Sequence, residues 1–263
     1  MGAFHDRATT MTSPFVHVLF VTMVLAGAGP AATEPSGGPC PKPPALLDPP
    51  PTAAAIVRAL REAHRLRIVA LGSSSAEGTG ASRPEHAWPA RLEAILDARF
   101  PEDTVEIVNR GKGGETAAEN LARLERDVIA LAPDLVIWQV GTNDALQGLE
   151  PEEVAARVRE GIRRLRALGI EVILMDPQWL PDPGRDAVVE RMSAVLAGVA
   201  IEEGVAIFPR HELMEAWAER GLVAPSELVG PDGLHMTDES YRCLAERLAD
   251  LFPPGASDVR AGE

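Results

Sequence analysis

The stretch Arg67-Ile68-Val69-Ala70-Leu71-Gly72-Ser73-Ser74-Ser75-Ala76-Glu77-Gly78 decides how this chain is read. A β-rich apolar run ends at Gly72 and a cluster of serines follows. A strand covered on both faces shows as a continuous apolar run rather than an alternating one. A glycine and then a serine at a strand-to-helix turn present a hydroxyl above the end of a sheet. A plain Ser/Gly loop has the same local sequence, so the neighbouring segments must decide.

Outward from that stretch, similar runs recur at Val105–Asn109, Leu135–Val140, Ile170–Met175 and Val205–Phe208. The segments between them keep helical spacing. Ala117, Leu121, Leu124, Val128 and Leu131 form one stripe. Val154, Val158, Ile162, Leu165 and Leu168 form another, opened by Pro151 and closed by Gly169. Strands alternating with amphipathic helices predict an α/β fold, a parallel sheet with helices on both faces. Ligands bind such sheets beyond the carboxyl ends of the strands.

The segments at those ends carry polar chemistry. After the second run, Asn109-Arg110-Gly111-Lys112-Gly113-Gly114-Glu115-Thr116 opens a helix. Its glycines let backbone amides approach a ligand. After the third run, Gly141-Thr142-Asn143-Asp144 offers a side-chain amide to the cleft; an Asx turn is the alternative. Near the C-terminus, Pro231-Asp232-Gly233-Leu234-His235 sets a carboxylate three residues before an imidazole. That spacing lets the Asp hold the His in one tautomer, although a surface loop with a solvated His reads the same. Together the segments supply a nucleophile, a base, an orienting carboxylate and oxyanion donors, which is the set acyl transfer needs.

In order and spacing these stretches resemble the blocks of the SGNH (GDSL-like) hydrolase family, over roughly residues 66–252. Gly72-Ser73-Ser74-Ser75 resembles G-D-S-L. Gly114 resembles the second-block glycine, Gly141-Thr142-Asn143-Asp144 resembles G-x-N-D, and Asp232-Gly233-Leu234-His235 resembles D-x-x-H. The resemblance implies a flavodoxin-like three-layer α/β/α sandwich with five parallel strands in the order 2-1-3-4-5. It implies Ser74 as nucleophile, His235 as base and Asp232 as its orienter. The oxyanion hole would be the amides of Ser74 and Gly114 with the Asn143 side chain. The implied activity is cleavage of carboxylic esters in a small molecule or glycan, with no metal or organic cofactor. The chain departs from the family at Ser73, where Asp is usual. Ser73 and Ser75 also flank the proposed nucleophile; the spacing from Gly72 selects Ser74. The departure leaves one non-enzymatic alternative, a catalytically inactive cell-envelope protein that binds carbohydrate or another partner.

Bulk properties narrow the rest. The chain has 263 residues, 46% hydrophobic and 24% charged, with a formal net charge of −14. Such a surface repels a phosphate backbone and argues against nucleic-acid binding. Gly72–Gly80 lacks the ending of a phosphate loop. Asp232 and His235 are too few to hold a catalytic metal. The apolar run Phe15–Gly27, followed by small residues at Ala28, Ala31 and Ala32, reads as a signal-peptide core. The expected layout is a signal peptide over 1–32, with translation starting at Met1 or Met11, and a Pro-rich linker over 33–51. A hydrolase domain over 52–253 and a flexible tail over 254–263 follow. The protein is then exported, periplasmic or secreted, with no membrane span after cleavage. In an oxidising compartment Cys40 and Cys243, the only cysteines, are expected to pair. Closing so long a loop contributes on the order of 4–5 kcal/mol in the chain-entropy treatment.

Overall fold

The computed structural model describes residues 1–2, 40–42 and 64–252. The expected leader, most of the linker and the tail lie outside the described residues. Everything below belongs to the unit Gly38–Glu263.

In chain order the elements are β1 (Arg65–Gly72), α1 (Ser74–Glu77), α2 (Trp88–Arg99), β2 (Thr104–Gly111), α3 (Ala117–Ala122), α4 (Leu124–Asp127) and β3 (Leu135–Gln139). They continue with α5 (Thr142–Leu146), α6 (Pro151–Arg166), β4 (Glu171–Met175), α7 (Pro183–Glu203), β5 (Ala206–Phe208), α8 (Arg210–Glu219), α9 (Pro225–Leu228) and α10 (Asp238–Ala249). The five strands pair in parallel in the order β2-β1-β3-β4-β5. This is the order the family resemblance implies, and all five apolar runs lie within or overlap a strand.

Side chains alternate across the sheet, so each strand feeds two cores. Leu66, Ile68, Ala70, Ile137 and Ile173 pack with Leu92 and Leu96 of α2, Trp217 of α8 and Leu244 of α10. Val69, Leu71, Val136, Trp138 and Leu174 pack on the other face with Val158 and Ile162 of α6 and Leu196 of α7. Trp88, Trp138 and Trp217 are fully buried, as core residues rather than site residues. Gly161 of α6 makes room for the Trp138 ring, because a Cβ there would meet it at 2.4 Å.

One helix differs from its sequence pattern. The stripe from Ala117 to Leu131 is not continuous. α3 ends at Ala122, α4 lasts a single turn, and a 3-10 turn covers Ile129–Leu131. The break falls at Arg123, whose amide donates to the Asn120 carbonyl three residues back. Its guanidinium reaches the carbonyls of Gly72 and Arg110 at the ends of β1 and β2.

Cys40 and Cys243 are joined in a disulfide with a Cα–Cα distance of 5.2 Å. Around it the Cys40 amide donates to Glu246 Oε2 at 3.2 Å, and Trp217 Nε1 donates to the Pro41 carbonyl at 3.0 Å. The bridge therefore seats residues 40–41 on α8 and α10, and Cys40 is buried.

Candidate active site

Ser74 is the first residue of α1, directly after β1. The turn before it is fixed from below. Ser73 donates its amide (2.9 Å) and its hydroxyl (3.1 Å) to Gln139 Oε1 at the end of β3. The unusual Ser73 thus acts as a donor to a buried amide oxygen. An Asp in its place would set an oxygen against an oxygen. Ser73 and Ser75 are buried, whereas Ser74 is partly exposed. Of the three serines the fold leaves Ser74 facing the cleft.

His235 reaches Ser74 from the loop before α10. Its Nε2 lies 3.2 Å from Ser74 Oγ, and its Nδ1 lies 2.6 Å from Asp232 Oδ2. The other Asp232 oxygen accepts the amides of Leu234 and His235, both at 2.9 Å. Burial pushes the Asp232 carboxyl up. The His235 ring and the two amides outweigh it and hold the carboxyl at about 2. An ionised Asp232 accepts the Nδ1 proton and leaves Nε2 bare toward Ser74.

The loop is held on both sides. The Gly230 amide donates to the His235 carbonyl at 2.8 Å, and Val229 pairs with Met236 in an antiparallel bridge. Gln178 Nε2 donates to the Leu234 carbonyl and Arg185 Nη1 to that of Gly233, both at 3.2 Å. The Pro177–Pro183 segment thus braces the Asp232–His235 loop through Gln178, while Trp179 packs on the core. Gly80, at φ +93°, lies against the loop from the opposite side. A Cβ there would meet the Met236 carbonyl at 2.3 Å and His235 Cβ at 3.1 Å, so only glycine fits.

The second and third blocks come together beside Ser74. Gly114 has φ +79°, with open space where a Cβ would stand. The Gly113 amide is held by Glu77 Oε2 at 2.9 Å. Asn143 Nδ2 donates to the Glu115 carbonyl at 2.8 Å, which orients its amide group and leaves one of its two protons for a ligand. Asp144 is buried and takes the Ala117 amide on both oxygens, at 3.0 and 3.2 Å. Burial, the largest influence on it, raises its carboxyl above the ordinary range. The third block therefore buttresses α3, whose own start carries a Thr116–Glu119 capping box. Of the two flanking cations, Lys112 pairs with Glu115 at 3.2 Å while 70% exposed, and Arg110 donates to its neighbour Asn109.

Sequence reasoning gave no individual role to Gln139, Glu77, Gln178 or Arg123, because each acts through a partner distant in the chain. For metal binding, the one close group among the described residues is Cys40, Glu239 and Cys243. The disulfide consumes both thiolates, so no ligand set is left there. Among the described residues no helix is long and apolar enough to cross a membrane.

Comparison with known proteins finds lipase-like and esterase relatives. Residues 39–258 match the non-GDSL lipase-like family. The chain is 28% identical over 185 residues to an arylesterase of Vibrio mimicus, covering 70% of this chain and 86% of that one. It is 28% identical over 202 residues to esterase TesA of Pseudomonas aeruginosa, covering 76% and 94%. Among solved structures, the acetylxylan esterase Axe2 of Geobacillus stearothermophilus superimposes with a TM-score of 0.62 at 23% identity, over 71% of this chain and 93% of that one.

Proposed function

The chain belongs to the non-GDSL lipase-like family, and on that premise we propose that Ser74, His235 and Asp232 cleave carboxylic esters through an acyl-enzyme intermediate. The protein is a hydrolase of the SGNH type acting on ester bonds. One observation carries the residue assignment: Ser74 Oγ and Asp232 Oδ2 bond opposite nitrogens of His235, at 3.2 and 2.6 Å.

Serine is a weak nucleophile until a base takes its proton. Ser74 Oγ attacks the carbonyl carbon as its proton passes to His235 Nε2, and the imidazolium is stabilised by Asp232. The oxyanion meets the Ser74 and Gly114 amides and the free proton of Asn143 Nδ2. One such donor contributes about 3–4 kcal/mol at the transition state. Collapse breaks the C–O bond, and the leaving alkoxide takes the proton from Nε2. Water then attacks the acyl-enzyme with His235 again as base, releasing the acid and restoring Ser74. No step calls for a metal or cofactor.

The substrates we propose are short acyl esters, with O-acetyl groups on carbohydrate as the leading class; the acetylxylan esterase with the same fold supports this. We also propose export to the periplasm or medium, supported by the apolar N-terminal run and by a disulfide suited to an oxidising compartment. The test is a panel of nitrophenyl esters of increasing chain length together with acetylated glycans, run on wild type and Ser74→Ala. Turnover of the short esters by wild type alone is expected, with Ser74 labelled by a fluorophosphonate. An unlabelled Ser74 and no turnover would favour the inactive, ligand-binding alternative.

A further inference from the structure

We propose that Arg123 is a positioning residue for the oxyanion donors, because its one guanidinium holds backbone or side-chain groups of the first and second blocks and, through Glu115, the third. The proposal rests on the esterase reading above.

Arg123 Nη2 donates to the Gly72 carbonyl at 3.2 Å and to the Arg110 carbonyl at 2.7 Å. Nε donates to Glu115 Oε2 at 2.6 Å, and Nη1 to Asp127 Oδ2 at 3.2 Å. Gly72 lies two residues before Ser74. Glu115 follows Gly114, and its carbonyl anchors Asn143. All three proposed donors therefore hang from groups that Arg123 fixes. The bed is dry: Arg123 and Glu115 are each 8% exposed. It is also closed, since Asn120 Nδ2 donates to Glu115 Oε2 at 2.8 Å and Trp138 Nε1 to Asn120 Oδ1 at 3.0 Å. A planar fork meets two carbonyls and a carboxylate at once, and a lysine ammonium on a flexible stem does not reproduce that pattern. Arg123 stands at the break between α3 and α4.

Simple structural support and positioning differ in what they move. Breaking a buried ion pair also destabilises the fold, so the folded fraction is read beside the kinetics. A displacement of donors by a fraction of an ångström lowers turnover and leaves ground-state binding intact. The experiment compares wild type, Arg123→Lys and Glu115→Gln on a short-chain nitrophenyl ester. It reads kcat and KM separately, the inhibition constant of a small alkylboronic acid that forms a tetrahedral adduct, and the folded fraction by circular dichroism. For folded Arg123→Lys the expected result is kcat about ten- to a hundredfold lower, KM within about twofold, and boronate affinity weakened in step with kcat. Glu115→Gln should show a smaller change in the same direction, and it carries the test if Arg123→Lys does not fold. A kcat within twofold of wild type in the folded variant overturns the proposal. So does a rise in KM with boronate affinity unchanged. Wild type that turns over no ester in the panel overturns the esterase reading, and this proposal with it.

Discussion

Among the described residues two Ser–His–Asp clusters stand out, and they differ in which nitrogen of the ring each partner takes. In the first, Ser74 and Asp232 take opposite nitrogens of His235. In the second, Ser82 Oγ and Asp238 Oδ2 both crowd onto Nδ1 of His86, at 3.0 and 2.8 Å, and Ser82 Oγ also donates to Asp238 Oδ2 at 2.6 Å. The residue types are the same. In the second cluster the serine proton already rests on the carboxylate, and the imidazole stands beside the pair rather than between its members. That arrangement ties the Ser82 loop to the start of α10. In the first arrangement Nε2 is free to accept the serine proton while Asp232 holds Nδ1. Composition of a triad says little; which nitrogen each partner takes says most.

The largest expected contrast is between the two serines. Ser74→Ala should lower ester turnover by more than about a thousandfold, since it removes the proposed nucleophile. Asn143→Ala comes next, with kcat lower by about a hundredfold or more and KM changed far less, because its amide is a proposed donor to the developing oxyanion. Steady-state kinetics on one short ester measure both, and a Ser74→Ala enzyme of normal activity would erase the contrast.

Acid stability sharpens the comparison at smaller scale. The folded Asp232 carboxyl is held at about 2, below its ordinary value of 3.8. A depressed carboxyl contributes stability that is complete above the unfolded value and lost as pH falls through the folded one. The window for Asp232 therefore runs from about pH 4 down to about pH 2. Asp238 is also lowered: burial opposes the shift, while the Ser82 hydroxyl and amide and His86 drive it. Thermal melts at pH 4, 3 and 2 should show Tm falling with pH, and less steeply in Asp232→Asn, which has no such charge to lose. An equal slope in the variant would remove Asp232 from this account. The smallest effect on catalysis belongs to Ser82→Ala. Its ester kinetics should match wild type within about twofold, with stability lower by about 1 kcal/mol for the lost hydrogen bond, read by urea unfolding.

Much of the fold was legible because parallel strands buried on both faces leave unbroken apolar runs, and the runs ending at Gly72 and Val140 point straight at the site. The segments that carry the proposed triad were picked out for a related reason: each lies just past a strand or just before the last helix. The bed beneath them was not. Arg and Glu are good helix formers, so Arg123 inside an apolar stripe gives no local sign that the helix breaks there. The Ser73–Gln139 bond joins residues 66 positions apart, and nothing at either position announces the other. Two cysteines, by contrast, allow a single intrachain pairing, and the chain has only those two.

The Cys40–Cys243 link, with 203 positions between its ends, makes most of the polypeptide a covalent ring. One backbone nick anywhere inside that ring leaves a single connected molecule until a reductant is added. Nicking and dissociation are thereby separate events in this protein.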